Sequence, residues 1–206
     1  MQRFAGKRNF DVIFDVGANI GQTAWEFVRY FPTAQIYCFE PSEPSFKILK
    51  QRYGGKVHCI QKALGAAVEA RALHVQELSE RNTFVADGSD DLRYDAPETV
   101  QVTTVDSFCA EQEIDAIDIL KMDVQGWEGE VLRGASRMME ANRVRFVFAE
   151  VAFWKESADM AQFVNIHQIL EEKRFRFCGL YDNFRWRNGH VVHFANALYI
   201  DPDFAH

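Results

Sequence analysis

Two clusters in this sequence carry residue types that do chemistry. The first is the turn Gly17-x-Asn19-x-Gly21, followed by an acid, Glu40, 23 residues beyond Gly17. A glycine turn between a strand and a helix brings helix N-terminal N–H groups to the edge of a sheet, where ligands of α/β proteins sit. A carboxylate about twenty residues further on offers two acceptor oxygens to the two hydroxyls of a ribose. The second cluster is Lys121-Met122-Asp123, with Glu150 ending the following strand. Lys121 and Asp123 lie two apart on a strand and so share a face. A lysine among apolar strand residues needs a partner, and Asp123 is placed to be one. Carboxylates at that edge suit proton transfer from, or orientation of, a bound hydroxyl. Each cluster also has a plainer reading: a structural turn, a solvated strand-end acid, a buried ion pair.

The turn departs from the dinucleotide fingerprint G-x-G-x-x-G, because Asn19 and Gln22 hold its second and third glycine positions. A side chain at the second position obstructs the close backbone approach that a pyrophosphate needs. The turn therefore suits a ligand without phosphate, and S-adenosylmethionine is the candidate. Asp15 ends the strand before the turn, and Pro41 follows Glu40 and stops the second strand. Lys62, Ala63 and Leu64 follow the third strand, where topology puts the adenine. Asp15, Gly17, Asn19, Gly21, Glu40, Pro41, Lys62, Ala63, Leu64 and Asp123 form the expected cofactor site. Asp123, Glu150 and Lys121 form the expected catalytic set, with Asp123 first as base or acceptor orienter.

These residues need a scaffold, and the apolar periodicity supplies it. Val12–Val16, Gln35–Phe39 and Val57–Ile60 read as strands. Between them, helices follow Gly21 and span Glu43–Tyr53, the latter ended by Gly54-Gly55. Such alternation implies βαβ units and a parallel sheet. The rhythm then breaks. Ala63-Leu64-Gly65 reads as a turn, and strands are expected at Ala72–Glu77 and Thr99–Val105. They form an insertion at about 66–105, whose polar stretch Asp87–Pro97 reads as a solvated loop or a lid over the acceptor. Alternation resumes with a strand at Ile117–Val124, a helix at Glu128–Met139, and a strand at Arg145–Val151. A further amphipathic helix carries Met160, Phe163, Val164, His167 and Leu170. Strands at Phe175–Leu180 and Ala197–Ile200, joined by a turn at Asp182–Gly189, give a late hairpin. Tyr181, Phe184 and Trp186 in that turn are candidate acceptor-pocket residues. His190 and His193 fall on opposite strand faces, so no metal pair is expected, and His167 reads as a core histidine.

The 206 residues suit a single domain over 1–206, whether a complete enzyme or part of a longer chain. A net charge of −7 argues against nonspecific nucleic-acid binding. No apolar run reaches the roughly 18 residues of a membrane span. The N-terminus lacks a secretory h-region. The four cysteines are scattered without metal-ligand spacing. A cytoplasmic protein with reduced thiols is expected, and its oligomeric state is open.

FDVGANIG at 14–21, FEP at 39–41, ALG at 63–65, TVDSF at 104–108, KMDVQGWE at 121–128 and AEV at 149–151 are collinear. Together they resemble the FkbM-type methyltransferases, a branch of the class I S-adenosylmethionine-dependent enzymes. Gln125 stands where that family most often has an acid. The resemblance implies a Rossmann-like α/β fold, with a mostly parallel seven-stranded sheet of order 3-2-1-4-5-7-6. Its strand 7 is antiparallel, helices cover both faces and a late hairpin closes the sheet. It implies Gly17, Asn19, Gly21 and Glu40 as cofactor residues. It also implies methyl transfer to a hydroxyl of a sugar or other secondary metabolite, a small-molecule or glycan acceptor. The alternatives are a noncatalytic binding domain that kept the fold and an NAD-dependent oxidoreductase.

Overall fold

The computed structural model describes residues 9–73, 97–154, 160–186 and 191–204. Its strands are β1 (Val12–Val16), β2 (Gln35–Phe39), β3 (His58–Ile60), β4 (Ala63–Leu64), β5 (Glu69–Leu73), β6 (Glu98–Thr103), β7 (Ile117–Met122), β8 (Val144–Ala152), β9 (Arg176–Trp186) and β10 (Val191–Ile200). The helices are α1 (Gln22–Tyr30), α2 (Glu43–Tyr53), α3 (Val105–Glu111), α4 (Glu128–Arg133), α5 (Ser136–Glu140) and α6 (Phe163–Glu172).

Seven strands form one sheet in the order β3-β2-β1-β7-β8-β10-β9, which is the expected 3-2-1-4-5-7-6. β10 runs antiparallel to both its neighbours, and the other pairings are parallel. The fold is therefore the Rossmann-like class I arrangement with its late hairpin. Every residue of β7 is buried, as expected of a strand with both faces covered. On one face Ile13, Ile36, Ile119, Phe146 and Leu198 pack with Ala24 and Phe27 of α1 and Leu49 of α2. On the other, Phe14, Phe39, Leu120, Met122 and Tyr199 pack with Phe108 of α3, Val131 and Leu132 of α4, and Leu170 of α6. The Phe14, Tyr37, Phe39 and Phe108 rings meet tilted or edge-on at 4.9–5.7 Å, the arrangement that ring quadrupoles favour. Truncating one such ring to alanine costs roughly 3–5 kcal/mol.

Several elements differ from the sequence expectation. Ala63-Leu64 is a short strand, not a turn, and β4-β6-β5 form a separate three-stranded sheet. β5 begins at Glu69, before the expected Ala72. The rest of that expected strand, past Leu73, lies outside the described residues. The polar stretch 87–96 lies outside them too. α3 was not expected. Thr104 caps it, its hydroxyl accepting from Ser107 N at 2.9 Å. The expected helix Glu128–Met139 is two short helices, broken where Gly134 packs on Gly65. A Cβ on Gly134 would stand 2.0 Å from the Gly65 carbonyl oxygen. Asp182 to Trp186 continue β9 rather than turning. His167 stacks on Phe163 and meets the Tyr199 hydroxyl at 3.4 Å, as a core histidine would. His190 lies outside the described residues.

Candidate active site

The turn after β1 is stitched to its neighbours by main chain. Gly17 N and Ala18 N both donate to Phe39 O at 3.0 Å, Asp123 N donates to Val16 O at 3.1 Å, and Glu40 N donates to Ile60 O at 3.1 Å. The carboxyl ends of β3, β2, β1 and β7 are thereby locked together. Gly17 and Gly21 have φ of +75° and +95°. Beyond letting the backbone bend and a ligand come close, both glycines answer a demand from the protein itself. A Cβ on Gly17 would lie 1.9 Å from the Asp123 carbonyl oxygen, and one on Gly21 would lie 2.4 Å from the Tyr53 ring.

Glu40 stands at the end of β2 and is buried. Its Oε2 accepts from Asn19 N and its Oε1 from Ser42 N, both at 2.9 Å. Burial pushes its carboxyl up to about 7, against the pull of those two N–H groups. Each oxygen keeps a second lone pair, and the Ser42 hydroxyl beside it is buried without a hydrogen-bond partner. Spare acceptors at this edge fit a ligand that brings hydroxyl donors. Pro41 and Lys62 are half-buried beside it. Leu64, by contrast, is wholly buried in the core, and Ala63 is nearly so. Core packing therefore already uses the Leu64 side chain.

Asp15 and Lys121 face each other across the β1–β7 pairing. Lys121 Nζ lies 2.9 Å from Asp15 Oδ1 and 3.8 Å from Asp123 Oδ2. The nearer partner is therefore Asp15 and not, as the local spacing suggested, Asp123. Burial works against the Lys121 charge, but Asp15 and Asp123 outweigh it and hold the ammonium protonated well above the ordinary lysine range. Asp15 is fully buried, and its Oδ2 has no hydrogen-bond partner.

Asp123 is the open member, its side chain 39% exposed. Gln125, which the sequence reading left without a role, joins the acids. Its Nε2 donates to Asp123 Oδ1 at 3.1 Å and to Glu150 Oε2 at 3.2 Å. It sits at φ +49° in the turn after β7, which aims its amide back between the two strand ends. Burial, then the Asp123 charge, raises the Glu150 carboxyl well above the usual range. Glu128 lies beneath, accepting from Val124 N at 2.9 Å, and burial raises it to about 7. Asp123 and Glu150 thus come together as expected, while Lys121 holds them from behind.

A cavity of about 300 Å³, lined in part by Asp11, Gln35, Asp118 and Arg145, opens at the opposite, amino end of the sheet. Asp118 there accepts from Asp11 N and Val12 N and pairs with Arg145, which ties strand ends together. The reactive groups are not in it. Among the described residues no cluster of His, Cys, Asp and Glu is arranged to hold a metal ion. No described helix is long and apolar enough to cross a membrane.

Comparison with known proteins gives concordant matches. The family model of the methyltransferase FkbM domain matches residues 15–177. The 2-O-methyltransferase NoeI of Sinorhizobium fredii is 26% identical over 165 residues, covering 68% of this chain and 62% of that protein. The hexuronic acid methyltransferase AglP of Haloferax volcanii is 25% identical over 165 residues, covering 79% and 64%. The chain thus spans less than two thirds of the length of these relatives. Among solved structures, fibrillarin of Aeropyrum pernix with natively bound S-adenosyl-L-methionine superposes with a TM-score of 0.52 at 13% identity. The match covers 97% of this chain and 72% of that one, a likeness of fold.

Proposed function

The chain belongs to the FkbM methyltransferase family, and from that premise we propose that it methylates a hydroxyl oxygen of a sugar, using S-adenosylmethionine. The observation that carries this reading is the pairing of two half-sites locked together by main chain. One is the Gly17–Gly21 turn with Glu40. The other is Asp123 with Glu150, bridged by Gln125.

When bound, S-adenosylmethionine supplies an electrophilic methyl group on a sulfonium sulfur. Glu40 would accept hydrogen bonds from the ribose hydroxyls with its remaining lone pairs. Asn19 at the second glycine position obstructs the close backbone approach a pyrophosphate needs, which counts against the NAD alternative. Asp123 would take the proton of the acceptor hydroxyl as that oxygen is methylated. Burial and the Asp123 charge raise the Glu150 carboxyl, and Asp123 is the more open acid, so Asp123 is the base and Glu150 orients the acceptor. Lys121, 3.8 Å from Asp123 Oδ2, is a positioning residue that holds the Asp123 carboxylate at the strand end. Sugar acceptors are supported by the printed activities of NoeI and AglP. Membership of a single domain over 1–206 and a cytoplasmic setting are part of the same reading.

Calorimetry with S-adenosylhomocysteine and NAD, followed by labelled-methyl transfer to a panel of sugars, tests it. Binding of the first and transfer to a hydroxyl are expected. Tighter binding of NAD would overturn it.

A further inference from the structure

Beneath the edge formed by Asp123, Gln125 and Glu150 lies a buried acid that takes no part in the proton transfer. Glu128 is 1% exposed, and its Oε1 accepts from Val124 N, one residue past Asp123, at 2.9 Å. Burial above all raises its carboxyl to about 7, while the N–H groups of Val124, Glu128 and Gly126 pull the other way. The turn that supplies these N–H groups follows an unusual path. Gln125 and Gly126 succeed one another with φ of +49° and +91°. For a glutamine the left-handed region is sparsely populated and persists where the surroundings impose it. Successive N–H groups in such a turn form a concavity that fits an anion. The Glu128 carboxyl fills it from within the chain. The flanks are fixed as well. Asp123 N donates to Val16 O at 3.1 Å and Trp127 N to Val124 O at 3.3 Å.

We infer that Glu128 is a positioning residue for methyl transfer: its carboxyl clamps residues 124–127 and so sets where Asp123 and the Gln125 amide point. The inference rests on the methyltransferase reading above and deepens its site. A carboxyl in a fully buried place is costly unless N–H donors meet it. Here the donors belong to the very stretch that carries Asp123 and Gln125. The bond to Val124 N fixes the peptide that joins Asp123 to Val124, and with it the main chain of the base. The left-handed path at Gln125 puts its Nε2 3.1 Å from Asp123 Oδ1 and 3.2 Å from Glu150 Oε2. Without the clamp Gln125 relaxes toward ordinary negative φ, which swings the amide off both acids. Transfer is sensitive to such a change, since a misplacement of about 1 Å can cost about 10²-fold in rate.

The test compares wild type with Glu128→Ala, Glu128→Asp and Glu128→Gln. NMR is recorded on each chain saturated with S-adenosylhomocysteine, and Gln125→Ala identifies the side-chain amide signals of Gln125. Kinetics use S-adenosylmethionine with a sugar of the panel above that wild type methylates. Glu128→Ala should lower kcat about 10- to 100-fold with little change in sugar KM. Affinity for S-adenosylhomocysteine should stay within about threefold. The Gln125 amide signals should move to the position of a solvent-exposed glutamine. Glu128→Asp, one methylene short of Val124 N, should behave the same way, and it serves where the alanine variant does not fold. Glu128→Gln keeps an oxygen that accepts from Val124 N and should restore most of the rate and the signals. An alanine or aspartate variant that melts lower, yet keeps wild-type kcat per folded molecule and unmoved Gln125 signals, would overturn the proposal. So would Glu128→Gln as slow as alanine, because a clamp made by this hydrogen bond survives that change. If wild type binds S-adenosylhomocysteine but methylates no sugar of the panel, the sugar reading fails and the Gln125 signals alone decide on the clamp.

Discussion

Replacing Lys121 with methionine separates a structural lysine from a catalytic one. Asp15 is fully buried, and its close cation is the Lys121 ammonium at 2.9 Å. Removing one partner of a buried pair leaves an uncompensated charge and costs about 3–5 kcal/mol. At roughly 2–4 °C per kcal/mol for a chain of this size, Tm should fall by about 6–20 °C. Adding Asp15→Leu removes the stranded charge and should recover most of the loss. Urea unfolding of wild type, both single variants and the double variant measures all of this. A Lys121→Met protein within about 1 kcal/mol of wild type would refute the pairing as the reason this lysine is there.

Glu40→Ala should weaken S-adenosylhomocysteine binding roughly 10- to 100-fold by calorimetry, since a hydrogen bond to a charged group contributes about 1.5–3 kcal/mol. Asp123→Asn should leave cofactor affinity within about threefold and lower single-turnover rate by about 10²–10⁴-fold. An equally active, equally stable variant would remove Asp123 as base. The ligand-free protein should lose stability as pH rises from about 4.5 through 7–8. Glu40 and Glu128 are held near 7 and Glu150 near 8, above the ordinary value of 4.5, so the folded state binds more protons across that window. Glu150→Gln should flatten the slope in thermal melts. Gly17→Ala should melt lower, because its Cβ meets the Asp123 carbonyl and its φ of +75° is strained for alanine. Unchanged melting would show that the turn yields.

Elements bounded by local chemistry were legible in the sequence. β2 and α2 fall at Gln35–Phe39 and Glu43–Tyr53 as expected, because Glu40-Pro41 and Gly54-Gly55 punctuate them. The seven-strand order was available through the motif resemblance, not through periodicity. Features set by contact between distant segments were not legible. The break between α4 and α5 depends on Gly134 lying against Gly65, and nothing near 134 announces that. Lys121 pairs with Asp15 because β1 and β7 are in register, while local spacing points only to Asp123. Gln125 lay inside a quoted motif, but its use depends on a turn that aims the amide between two strands. The length of β9 was hidden by its polar residues, which an edge strand tolerates because one side has no neighbour to pair with.

The main-chain stitching of the strand ends has a consequence for how such a protein drifts. Phe39 O, Val16 O and Ile60 O hold the turn, Asp123 and Glu40 in place whatever their side chains are. Side chains along these segments can then differ without displacing the strand ends, whereas Gly17 and Gly21 cannot, since a Cβ at either would stand 1.9 and 2.4 Å from protein atoms. A frame held by backbone rather than by side chains tolerates wide drift, in keeping with the 25–26% identity to the two relatives named above.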